Sequence, residues 1–128
     1  MAAREAGEWL ARADEDLRVA ELTLGALPPL LGSSAYHSQQ AAEKALKAFL
    51  AARQVRFRLV HDLVELQTQC EQIDSEFARF FGMAQLLTPF ATQFRYPGGP
   101  VAPEQQDAQE ASRLASELVD FVRGRLVP

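Results

Sequence analysis

Cysteine is almost missing from this chain: Cys70 is the single one in 128 residues. One thiol cannot close an intramolecular disulfide or build a four-thiolate zinc site, and it fits a reducing compartment, so a cytoplasmic location is expected. Histidine is nearly as scarce, with only His37 and His61. Zinc and iron sites draw their ligands at short paired spacings, and two histidines 24 residues apart do not supply that pattern, even with Asp62 beside the second. No resident metal or cofactor is expected. No run reaches the about 18 apolar residues that span a bilayer. The opening MAAREAGEWLARADED carries charge at short intervals, unlike a secretory signal, so neither membrane nor targeting segment is expected. Gly98 and Gly99 sit between prolines and not between a strand and a helix, which excludes a phosphate-cradling loop there. Positive charge is not in excess either. The formal net charge is −4, which gives no overall attraction to nucleic acid or an anionic surface, and no DNA partner is expected.

What the chain has is enough apolar material to fold. Hydrophobic residues make up 48% and charged residues 23%, far from a disordered composition, and the length suits one domain over residues 1–128. The apolar residues recur at helical steps. Trp9, Leu10, Ala13, Leu17, Ala20 and Leu24 predict a first helix over 4–24, stopped by Gly25 and the Pro28–Pro29 pair. Ser33 and Ser34 offer N-cap chemistry for a second helix over roughly 33–54. Leu63, Leu66, Cys70 and Ile73 mark a third, opened by Asp62. Phe77, Phe80, Phe81, Ala84, Leu87 and Phe90 mark a fourth, capped by Asp74 or Ser75 and kinked or ended near Pro89. The segment RYPGGPVAP at 95–103 reads as a loop, and 104 onward as a fifth helix. Nothing alternates as a strand, so the expected fold is all-α: a five-helix antiparallel up-and-down bundle.

The second helix carries two faces. At about 100° per residue, Ala35, Ala42, Leu46, Phe49 and Leu50 share the ordinary core side. Ala41, Ala48 and Ala52, bordered by Ala45, form a row of small side chains that admits another helix closely, within the chain or across a dimer. Along its edge His37, Gln40, Lys44 and Lys47 recur at steps of three and four, so their polar ends make one line, either a solvated margin or a site.

The run YHSQQAAEKALKAFL at 36–50, HDL at 61–63 and RYP at 95–97 together resemble the HEPN domain family. The resemblance implies a small helical bundle, commonly a homodimer, often encoded beside a minimal nucleotidyltransferase as toxin and antitoxin partners. Catalytically active members are metal-independent endoribonucleases with an arginine followed a few residues later by a histidine, paired across the dimer. Arg95 stands where that arginine would be. No histidine follows it, because none occurs after His61. A literal pair does exist in Arg56 and His61, with four residues between them, but it lies in a different part of the fold.

Three readings follow. The preferred one is a HEPN protein without catalysis of its own that dimerises and binds a partner nucleotidyltransferase or a nucleotide, with His37, Gln40, Lys44, Lys47, Ala41, Ala48, Arg95 and Tyr96 as binding or interface residues. The second is an endoribonuclease using Arg95 or the Arg56 and His61 pair. The third is a non-catalytic RNA- or nucleotide-binding module using Lys44, Arg56 and Arg95, helped by the basic stretch Arg53, Arg56, Arg58 and the aromatics Phe57 and Tyr96.

Overall fold

The computed structural model describes residues 1–57, 62–94, 97–99 and 102–126. They form five α-helices: α1 (Ala2–Leu24), α2 (Leu31–Ala52), α3 (Leu63–Ile73), α4 (Phe81–Leu87) and α5 (Gln105–Leu126). Two 3-10 turns, Ser75–Phe80 and Thr88–Ala91, flank α4. The described residues contain no strand, and the domain is all-helical as the periodicity predicts.

The α1 and α2 pair is the backbone of the bundle. Ala6, Leu10, Ala13, Leu17 and Ala20 step along α1 at alternating intervals of four and three, and all are buried. On α2 the buried Ser34, Ala41, Ala45 and Ala48 form the matching row. Small side chains on both helices let the two backbones approach closely. The row is therefore filled from within the chain: Ala41 and Ala48 have no exposed surface and cannot themselves meet a second copy.

The start of α2 differs from the sequence expectation. Helix begins at Leu31, directly after the prolines, and its N-cap residue Leu30 makes no side-chain capping bond. Ser34 lies inside the first turn and does not cap; its hydroxyl donates 2.8 Å across the helix pair to the carbonyl of Ala20. Close packing has taken the group that local capping would have used. The other end of α2 closes as a Schellman turn: Gln54, in the left-handed region at φ 58°, donates to Ala51 O, and Val55 donates to Leu50 O.

Asp62 caps α3 as expected, accepting from the Val64 N–H at 2.9 Å. Asp74 likewise accepts from the Glu76 N–H at 3.0 Å, but the turn it opens is 3-10. With about three residues per turn, Phe77 and Phe80 stay on one side and Phe81 is turned outward. Phe81 is 42% exposed, so it is not part of the inward face that α-helical spacing assigned to it. Phe49 and Phe77 pack at 4.6 Å between ring centroids, and Phe121 meets Phe77 edge-on at 5.0 Å, which ties α2, the turn and α5 into one core. α2 and α5 both end beside the start of α1, where Ala52 and Leu126 share a groove with Ala3 and Leu10.

Candidate functional site

The polar line of α2 turns inward. His37, Gln40, Lys44 and Lys47 do not form a solvated margin; Gln40 and Lys47 are buried and the other two are partly so. What holds them is a set of partners that spacing alone did not single out.

Asp16 of α1 is the first. It sits one turn from Ala13 and Ala20 on the side that faces α2, and it is 8% exposed. One carboxylate oxygen is 2.9 Å from His37 Nδ1 and the other 2.5 Å from Lys44 Nζ. A carboxylate in so little water needs such partners, and these two span two turns of α2. A carboxylate only accepts, so Nδ1–H of His37 is the donor of its bond, and Nε2 has no hydrogen-bond partner among the described residues. The His37 ring lines a groove of about 520 Å3 with Ser33, Tyr36, Leu30 and Phe94.

Glu43 is the second. It is 3% exposed, accepts from the Lys47 ammonium at 2.9 Å, and is approached by the Gln39 amide at 3.3 Å. Gln40 in turn donates to Gln39 Oε1 at 2.7 Å. Lys47 is capped by aromatic faces, 5.3 Å from the Trp9 ring centroid and 5.8 Å from that of Phe57. An ion pair this dry contributes little net stability but is costly to break on one side only. The signal for it was available, since Gln39, Glu43 and Lys47 recur every fourth residue on one helix.

The remaining candidates are placed unevenly. Arg56 is exposed on a groove of about 840 Å3 that also contains Trp9, Phe57 and Arg4. Arg58, His61, Arg95 and Tyr96 lie outside the described residues, so the Arg56 and His61 pair and the Arg95 position have no geometry here. Phe94 and Ala102, which bracket the Arg95 segment, both line the His37 groove. Cys70 is fully buried, its Sγ 3.7 Å from Leu46 O, and burial pushes its thiol far above the ordinary range. It is a core residue and not a nucleophile. No three histidine, cysteine, aspartate or glutamate residues among those described gather as a metal site. No helix among them is long and apolar enough to cross a membrane.

The family model of the HEPN domain matches residues 6–125. The chain belongs to the HEPN domain family. Its fold is similar to the crystal structure of TT1696 from Thermus thermophilus, at 29% identity and a TM-score of 0.81, with 94% of this chain and 97% of that one covered. It is also similar to ST0689, an archaeal HEPN homologue, at 24% identity and a TM-score of 0.75, over 96% and 98% of the two chains. No curated protein matches. The HEPN match takes in the three motifs at 36–50, 61–63 and 95–97 on which the resemblance rested.

Proposed function

We propose that this HEPN protein acts by binding and not by catalysis, as a homodimer that engages a minimal nucleotidyltransferase in a toxin-and-antitoxin type of module. The observation that carries the reading concerns histidine. The chain has two, none follows Arg95, and His37 is already committed to Asp16 inside the α1 and α2 contact. Of the polar residues in the α2 stretch, His37 and Lys44 are thus spent on joining α2 to α1 through Asp16, while Gln40 and Lys47 bond within α2.

Exposed apolar side chains supply surface for partners. Leu22, Leu27 and Leu30 cluster at the turn between α1 and α2, and Phe81 and Leu86 stand out from α4. A contiguous exposed apolar patch is the kind of surface that marks a protein contact.

The test is co-expression with a minimal nucleotidyltransferase encoded beside this gene, followed by light scattering on the purified species. The reading expects a stoichiometric complex and, for this chain alone, a dimer at micromolar concentration. A monomer that retains no nucleotidyltransferase contradicts it. One observation favours the RNA-binding alternative: exposed Arg56 and Arg4 share a groove with the part-exposed rings of Trp9 and Phe57. Salt-dependent RNA binding that is lost in Arg56→Ala supports that alternative, and a flat titration at low salt removes it.

A further inference from the structure

Three arginines distant in sequence surround one groove. Arg53 follows α2, Arg123 and Arg125 occupy the last turn of α5, and all three line a groove of about 550 Å3 against the start of α1. Its floor is aliphatic, with Ala6, Leu10 and Leu126 among the lining residues. None of the described residues that line it is acidic, in a chain whose net charge is −4.

Part of this basicity has an ordinary cause, because cations at helix C-terminal ends meet the partial negative charge of the helix dipole. That explains where the arginines sit, but not why they ring an apolar floor. Arg125 is held in place, pairing with Asp74 at 2.8 Å in a part-buried contact and with Glu76. Arg123 is held loosely, pairing with Asp14 at 2.5 Å with both side chains nearly half exposed. An ion pair so open to water is weak and exchanges for another carboxylate. Arg53 has no carboxylate partner among the described residues. Its guanidinium lies over the Phe49 ring, 4.9 Å from the centroid, which steadies the group, and the residue as a whole is exposed.

We infer that this groove docks an acidic, apolar segment of the partner protein: one or two aliphatic side chains on the floor, flanked by carboxylates that meet Arg53 and Arg123. The inference rests on the partner-binding reading above and adds the place and the chemistry of the contact. A cleft of this volume takes a few side chains and not a whole domain face. Nucleic acid fits it less well, because no aromatic ring among the described residues lines the groove to stack a base.

Fluorescence anisotropy on the full chain tests it, with a labelled short peptide of alternating Glu and Leu as probe and the Lys and Leu peptide as control. The acidic peptide binds saturably and more weakly at high salt. Arg53→Glu and Arg123→Glu each weaken it by about tenfold or more. Arg113→Glu, on the exposed face of α5 away from the groove, leaves it unchanged. Circular dichroism confirms that each variant keeps its helix content. Absence of saturable binding, equal binding of the basic peptide, unchanged affinity in Arg53→Glu and Arg123→Glu, or displacement of the peptide by single-stranded RNA each overturns the inference. A nucleotidyltransferase that co-purifies equally with the charge-reversed chains places its docking elsewhere and overturns it too, while leaving the proposed function standing. Failure of the unaltered chain to retain the nucleotidyltransferase counts against the proposed function, and the peptide titration is then read by itself.

Discussion

Asp16→Ala removes the one group that joins α1 to both His37 and Lys44. Each bond has a charged member, and hydrogen bonds of that kind contribute about 1.5–3 kcal/mol apiece. The side chains of His37 and Lys44 keep 28% and 23% of their exposure, so water takes up part of what they lose. The cost therefore falls short of the about 3–5 kcal/mol for breaking a fully buried pair, and we place it at about 2–3 kcal/mol. In a domain of this size that lowers the melting temperature by roughly 8–12 °C. Asp16→Asn keeps one acceptor and costs about half as much. Thermal and urea unfolding followed by circular dichroism measure both, and the double variant with Lys44→Ala should show a coupling of about 1 kcal/mol or more. A change below about 0.5 kcal/mol in Asp16→Ala, the size of an ordinary surface substitution, refutes the claim that the polar line of α2 is structural.

Further outcomes follow from the same contacts. Lys47→Met removes the ammonium 2.9 Å from the buried Glu43 carboxylate and should destabilise by about 3 kcal/mol in urea unfolding, whereas pairing it with Glu43→Leu should restore most of the loss; equal losses in the single and double variants count against a buried pair. Gln54→Gly relieves a left-handed residue at the end of α2 and should raise stability by about 0.5–1 kcal/mol in the same assay; a loss there contradicts the Schellman turn. Cys70, buried with its thiol pushed upward, should fail to react with a thiol reagent at neutral pH until the chain is unfolded, and rapid labelling of the native protein speaks against its core position.

The helices were legible because their apolar residues repeat strongly. Where expectation and structure part, a tertiary contact outweighs a local one. Ser34 could cap α2 but instead reaches Ala20 across a gap that only small side chains permit. Phe81 fits an α-helical stripe but follows a 3-10 turn, which changes the rotation by which spacing is judged. The line His37, Gln40, Lys44, Lys47 was visible as a line, yet its meaning depended on Asp16, which lies 21 residues from His37 and 28 from Lys44 in the chain. A periodicity on one helix cannot reveal the acid on the next. Glu43, by contrast, was within reach of sequence reasoning, since its pairing with Lys47 is a one-turn step. The groove of Arg53, Arg123 and Arg125 was not, because its basic groups are gathered from two ends of the chain.

The proposal that this HEPN protein works by binding and leaves catalysis aside meets its most direct test in clean protein incubated with single-stranded RNA in EDTA. We predict that the RNA stays intact over a long incubation; cleavage that disappears in Arg95→Ala or His61→Ala contradicts the proposal.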